Sequence, residues 1–454
     1  MKIFLKSVLL ISSITVVSDA NALFSTKYTN SCRPLAKESG EYPKKKIKGF
    51  SSESLYKKMQ EANQAMADGN KVLAKQLLTE VKDSTTDGYP LSVVYQYFAR
   101  MEYEVGNFNG AVNNAKKVID LDALPVQALL AMKKQVAYAY LAKKDIKNAI
   151  KWMNDYFAQV IKPPVSDYKT LAQLYYQDKQ YKNAVCPAYI ALKGTTTKKD
   201  KEPLYKMLFG LHFSLSDLDG SAKVLSEMIN FWPQEKKYWE QLFSIHYQRG
   251  DTASALAVNE LAYKKGIWEK ESEYKNLASL HANTGAPLTA ALRLEDGIKK
   301  GVVSQSLENL KLVARYWEQA KDRNKAISAY TKVANADSSG EYFYRIGNMY
   351  FEQEKYNQAI DNFAKAINKG KMKSVEAGYS RLQKGAAHFY LGQEDAAIAA
   401  MNSAKNFDKT KKQAISWIGF IREKQRIREE LRKDAEQIEA EVAAEKAESE
   451  NRTN

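Results

Sequence analysis

The chain has 454 residues, with 69 Lys and Arg against 53 Asp and Glu, a net charge of +16, four His and two Cys. Two cysteines exclude a disulfide-dense scaffold, a four-cysteine zinc site and an all-cysteine iron–sulfur cluster, and four histidines leave little material for metal catalysis. Hydrophobic residues at 44% and charged residues at 27%, with only ten Pro and 21 Gly, describe a core-forming chain and argue against a loop-rich all-β architecture.

Met1 to Ala22 opens with Lys2 and Lys6, continues as the uncharged, mostly apolar run Ser7 to Val17, and ends in the small residues Ala20-Asn21-Ala22. That pattern predicts a cleaved signal peptide over residues 1–22, cut after Ala22, and hence export. No later stretch reaches ~18 consecutive apolar residues, so no integral membrane span is expected in the mature chain. Export turns the positive charge away from nucleic acid and toward an acidic protein, a cell-wall polymer or a membrane surface. Residues 23–52, with Pro34, Pro43 and the run Lys44-Lys45-Lys46-Ile47-Lys48, read as an extended arm whose lysines form a solvated linker. An oxidising compartment permits a Cys32–Cys186 disulfide, but a buried free thiol is the preferred reading of Cys186.

Residues 53–410 carry one dominant pattern. Ala74, Ala111, Ala149, Ala184, Ala222, Ala255, Ala290, Ala326, Ala359 and Ala397 recur at spacings of 33 to 38 residues. Each is usually followed by an apolar or aromatic residue four on, and in the clearest units it sits about 12 residues after a small residue within an apolar stripe. Phe343, Ile346, Gly347 and Tyr350 share one helical face, and Ala359, Phe363 and Ala366 continue the pattern on a second helix. Small residues mark where two helices cross closely. Gly106, Gly250, Gly285 and Gly392 fall at the turn between them. In residues 411–454, Trp417, Ile418, Phe420 and Ile421 can cap the last repeat. Beyond Arg422 the charge sorts by sign, predicting a projecting helix and a partly disordered tail.

These residues resemble the tetratricopeptide repeat, a helix–turn–helix unit of about 34 residues. The resemblance implies an all-α fold: a right-handed α-solenoid of about ten repeats with a C-terminal capping helix. A narrower likeness lies in Phe231-Trp232-Pro233, Tyr238-Trp239-Glu240-Gln241-Leu242, Lys275-Asn276-Leu277-Ala278, Gly285-Ala286-Pro287 and Trp417-Ile418. That ordered series resembles exported repeat proteins encoded beside TonB, ExbB and ExbD energy-transduction genes. The resemblance implies a periplasmic scaffold accessory to TonB-dependent uptake of nutrients such as iron complexes, with TonB, ExbB or ExbD components as partners.

No motif of nucleophilic, phosphate-cradling or metalloprotease chemistry is present, so no catalytic residue, cofactor or metal site is expected. His246, His281 and His388 occupy one equivalent repeat position and His212 lies near it; neighbouring repeats stand about 8–10 Å apart, too far for shared ligation. The surface open to a partner is the groove lined by the first helices. Residues offset from the packing stripe by one or two positions should face it: Tyr103, Tyr138, Lys169, Tyr176, Tyr247, Lys275, Lys311, Arg315, Tyr344, Asn348 and Phe351. Rings and cations together suit an extended protein segment with acidic positions. The competing reading is a cell-envelope assembly factor that holds peptidoglycan enzymes or outer-membrane proteins.

Overall fold

The computed structural model describes residues 35–453. The predicted signal peptide, its cut after Ala22, and Cys32 lie outside the described residues. The chain forms two compact units that divide in sequence between Val258 and Asn259.

In the first unit the hairpins are α1 (Glu53–Ala67) with α2 (Lys71–Asp83), α3 (Gly88–Glu104) with α4 (Phe108–Leu121), and α5 (Val126–Ala142) with α6 (Ile146–Phe157). They continue as α7 (Val165–Gln177) with α8 (Tyr181–Gly194), then α9 (Lys198–Ser214) with α10 (Leu218–Phe231). The division falls inside a sixth hairpin, α11 (Lys236–Gln248) and α12 (Thr252–Lys264). The second unit contains α13 (Glu271–Asn283) with α14 (Pro287–Lys299), α15 (Leu307–Gln319) with α16 (Arg323–Ala336), and α17 (Glu341–Phe351) with α18 (Tyr356–Lys369). It closes with α19 (Ser374–Tyr390), α20 (Glu394–Ala404) and a long helix, α21 (Asp408–Thr453). Each unit is therefore an all-α solenoid of tetratricopeptide-type hairpins.

The turn inside each hairpin is built the same way. One residue takes positive φ, and the residue after it starts the second helix; where that residue is Asn or Asp, its side chain accepts the amide three positions on. Asn107 accepts from Gly110 at 3.1 Å, Asp217 from Gly220 at 3.0 Å and Asp322 from Lys325 at 3.1 Å. Gly106, Gly250, Gly285 and Gly392 hold φ between 71° and 80°, as their positions predict. At other turns the position is filled by Lys144, Lys179, Ser216, Lys321 and Glu354, with φ from 54° to 62°.

All ten recurring alanines are buried, none more than 6% exposed. They sit where the helices of a hairpin cross, and several crossings leave no room for a larger residue. A Cβ built on Gly347 would lie 2.6 Å from the Phe363 ring, and one on Gly385 would lie 2.7 Å from Met401. Longer side chains fill the space on either side, with Leu78, Leu171, Leu225, Leu294 and Phe363 fully enclosed. Each such burial contributes roughly 1.5–3 kcal/mol. At the C-terminal end Ala414, Ile418 and Ile421 of α21 pack on Leu382, Ala397 and Met401. Trp417 is only partly buried and Phe420 is 55% exposed, so they cover the last hairpin less than Ile418 and Ile421 do. Where sorted charge predicts a partly disordered tail, α21 stays helical to Thr453. Ion pairs along its length, Arg426 with Glu423 and Glu430 and Arg432 with Glu429, support that extension.

Two expectations need revision. Lys44, Lys45, Lys46 and Lys48 are exposed, as a solvated run should be, but the arm that carries them is docked. Lys37 bridges Ile161 in parallel, its amide donating to the Val160 carbonyl at 3.1 Å and its carbonyl accepting from Lys162 at 2.9 Å. Tyr42 Oη accepts the Ile161 amide at 2.8 Å, Lys45 pairs with Asp122, and the Phe50 ring meets Tyr56 and Tyr89 edge-on. Apart from Tyr56, in the first helix, these contacts lie where one hairpin hands over to the next: Tyr89 follows α2, Asp122 follows α4 and Ile161 follows α6. The extended backbone can bind there because the connecting loops leave amides and carbonyls unused by helices. The second correction is that Cys186 is disulfide-bonded and not a free thiol.

Candidate functional site

The predicted groove residues sit on the first helices of their hairpins, and each unit presents its own set. In the first unit Tyr103 (α3) and Tyr138 (α5) come together in a cleft of 410 Å³, with Arg100, Glu104, Ala131, Lys134 and Gln135 completing the wall, and Arg100 pairs with Glu104 at 2.9 Å. Arg100 and Lys134 were not among the expected residues. They lie on the same two helix faces, three and four positions before the named tyrosines, so the helical spacing did contain them.

Lys134 is anchored from below. Its Nζ lies 3.2–3.3 Å from both oxygens of Asp167, which is 1% exposed, and 5.4 Å from the centre of the Tyr156 ring. Tyr156 Oη donates to Asp167 Oδ2 at 2.5 Å. Burial, then the hydrogen bond to Asp167, push the Tyr156 pKa well above its ordinary value, so the phenol stays a donor. The buried carboxylate is thus held between a cation and a hydroxyl, and it fixes Lys134 in the wall of the cleft.

Further along the first unit Lys169 is half-buried and has no carboxylate partner among the described residues. Tyr176 is 40% exposed, with its ring tilted against Tyr181 at 5.7 Å. Tyr247, the most open of the set, stacks on Phe243 at 6.0 Å.

In the second unit the expected cations divide. Lys275 pairs with Glu308 at 3.0 Å and Lys311 with Asp337 at 2.7 Å, and Lys311 also lies 5.0 Å from the centre of the Tyr342 ring. The hydrogen bond to Asp337 raises the Lys311 pKa against the opposing effect of burial. Arg315 is exposed and has no carboxylate partner among the described residues. Beside it, burial raises the Tyr316 pKa while the charges of Arg315 and Lys275 pull it down. Tyr344 packs against Phe363 at 6.2 Å, and the Asn348 side-chain carbonyl is buried without a hydrogen-bond partner.

Phe351 joins an aromatic patch that the sequence reading missed. Its ring meets Tyr356 at 5.5 Å and Tyr390 at 5.9 Å, and those two tyrosines stack on each other at 5.0 Å. Tyr390 is 54% exposed. It ends α19, two positions past His388, within the offset that defines the groove residues though it was not among those named.

Three of the four histidines are hydrogen-bonded to polar neighbours, each apart from the others. His212 bonds Tyr189 and Asp217, His281 bonds Glu260 and His388 bonds Gln393. Burial acts to raise the Glu260 pKa, but hydrogen bonds from His281 and Arg293 overcome it and hold the carboxyl down at about 2. Among the described residues no group of three His, Cys, Asp or Glu is placed to hold a metal ion. No described helix is long and apolar enough to cross a membrane.

No family model matches the chain. A curated relative, "Uncharacterized protein ycf37" of Guillardia theta, is 26% identical over 115 residues, covering 25% of this chain. The chain spans 64% of that protein's length. Among solved structures, a tetratricopeptide repeat protein from Parabacteroides merdae overlays 58% of this chain and 99% of its own, at 13% identity and a TM-score of 0.32. MamA overlays 39% of this chain and 94% of its own, at 16% identity and a TM-score of 0.30. The APC/C hetero-tetramer Cut9-Hcn1 overlays 81% of this chain and 96% of its own, at 11% identity and a TM-score of 0.27. The assignment of the fold rests on the hairpins themselves.

Proposed function

We propose that the protein is a non-enzymatic interaction scaffold that receives an extended, partly acidic segment of another protein along its first helices. The observation that carries this reading is the cleft shared by Tyr103 and Tyr138, whose wall holds Arg100, paired with Glu104, and Lys134, anchored on Asp167. Rings supply contact area at low entropic cost, and cations orient a carboxylate-bearing guest. Lys169 and Arg315, each without a carboxylate partner among the described residues, are the cations of the predicted set left to meet an acidic guest. The export pattern and the ordered C-terminal motifs support a finer reading: a periplasmic accessory of TonB-dependent energy transduction and nutrient uptake, with a TonB, ExbB or ExbD segment as guest.

A photo-crosslinking residue at Tyr138, used in living cells and followed by mass spectrometry, tests both levels. Capture of an energy-transduction subunit, lost when Lys169→Glu and Arg100→Glu are introduced, supports the finer reading. Capture of wall-synthesis enzymes or outer-membrane proteins redirects it to envelope assembly. If the charge reversals leave every captured species unchanged, the groove is not the binding surface.

A further inference from the structure

Helix α21 outlives its job as a cap. Its packing on the last hairpin ends with Ile421, and its last ties to that hairpin are Gln425 to Asp395 at 3.4 Å and Arg428 to Glu394 at 2.5 Å. Yet the helix continues to Thr453. A solvated extension has no need of large apolar residues, but this one carries Ile427 (46% exposed), Leu431 (64%), Ile438 (60%) and Val442 (47%). At 3.6 residues per turn these four and Ala435 fall within an arc of about 80°, a stripe about 22 Å long. No described residue covers it.

The spacing of that stripe is mirror-symmetric. Leu431 and Ile438 stand at equal distances on either side of the Asp434–Ala435 peptide bond, and so do Ile427 and Val442. The charges are opposite about the same point. Arg422 to Lys433 holds six basic and three acidic residues, whereas Asp434 to Glu445 holds five acids and no base. A helix with those two properties is complementary to itself reversed.

We propose that two copies of this protein associate through residues 422–445 of α21 as an antiparallel helix pair. In that arrangement Ile427 of one copy lies level with Val442 of the other, and Leu431 with Ile438. Lys424 comes level with Glu445 and Arg428 with Glu441, so each basic half lies along an acidic half. A two-fold axis crosses the Asp434–Ala435 bond, giving the self-complementary interface that a symmetric dimer requires. A parallel pair would set base against base and acid against acid, and the acidic half disfavours an anionic membrane. Four aliphatic residues per chain form a narrow seam, smaller than the ~1,200 Å² of a standard stable interface, so the association is reversible and concentration-dependent.

Light scattering and sedimentation equilibrium on the purified full chain test this. The weight-average mass should rise toward twice the monomer value with concentration, and Leu431→Glu with Ile438→Glu should abolish the rise. Both residues are mostly exposed in the single chain, so an unchanged thermal midpoint shows that the variant still folds. For orientation, Ile427→Cys chains mixed with Val442→Cys chains should oxidise to a covalent dimer, and neither should do so alone. A wild type that stays monomeric at every concentration overturns the proposal and leaves the stripe to a different protein's helix. A dimer indifferent to the double Glu variant overturns it, and so does efficient crosslinking of Ile427→Cys with itself.

Discussion

His212 Nδ1 lies 2.8 Å from Asp217 Oδ2, and this contact joins the last turn of α9 to the residue that starts α10. The imidazole is fully buried, and its other nitrogen meets Tyr189 Oη at 2.8 Å. A Cβ on Gly220 would stand 2.2 Å from His212 Nδ1, so the hairpin closes around the pair with no slack.

Acid should loosen this hairpin. Burial lowers the His212 pKa, and the opposing pull of Asp217 does not restore it. The unfolded imidazole takes up a proton at about pH 6.5 and the folded one resists it, so stability is complete above that value and falls as pH drops through it. His246 adds to the same slope, since burial lowers its pKa against the opposing effect of Asp251. The thermal midpoint should decline between about pH 7.5 and pH 5.5. His212→Gln, which can still bond Tyr189 and Asp217 but does not titrate, should flatten part of the decline. A variant with the wild-type slope would show that His212 is not its source.

Asp167 should be among the costliest single positions in the first unit. Asp167→Ala strips the carboxylate from a half-buried Lys134 and a buried Tyr156 hydroxyl at once. Removing one partner of a buried ion pair costs about 3–5 kcal/mol. Urea unfolding measures the loss directly; a change below about 1 kcal/mol would mean that Lys134 finds water readily.

The crossing at Gly347 gives a steric prediction. Gly347→Ala places a methyl 2.6 Å from the ring of Phe363, which is fully buried, so the ring or a helix must shift. Overpacking of this kind costs about 1–3 kcal/mol. Adding Phe363→Leu should recover part of that cost, so the double variant should be less destabilised than the two single changes together. Strict additivity would show that the strain lies elsewhere.

How far the hairpins were legible depends on which feature is followed. Helix crossings were readable because only small residues fit there, and every one of the ten alanines chosen by spacing is buried. Turns were half readable. Glycine advertises positive φ, but Lys144, Lys179, Ser216, Lys321 and Glu354 adopt it without any local sign. There the two packed helices dictate the turn and the residue tolerates the strain. Of the residues chosen by helix face, Tyr103 and Tyr138 line one cleft. The anchoring of Lys134 by Asp167, in the next hairpin, depends on a contact that no single helix contains. The docking of residues 35–50 was hidden for the same reason.

Lys321 puts that tolerance to a test. At φ 59° a non-glycine residue pays about 1–2 kcal/mol, more if it is β-branched. Lys321→Gly should leave stability equal or higher, while Lys321→Val should lower it. Paired thermal melts of the two variants against wild type settle the order, and a Val variant as stable as the Gly variant would mean that the turn relaxes.

The arm gives the first unit a delay that its hairpins lack. Each hairpin closes between near neighbours, but Tyr42 must wait for Ile161, 119 residues further on. At a synthesis rate of about 5–20 residues per second, that wait is roughly 6–24 seconds. Until then the strap hangs loose beside hairpins that have already formed. The arm therefore finds its place after the first three hairpins and ahead of those built from Val165 onward, and its docking reports that the third hairpin has arrived.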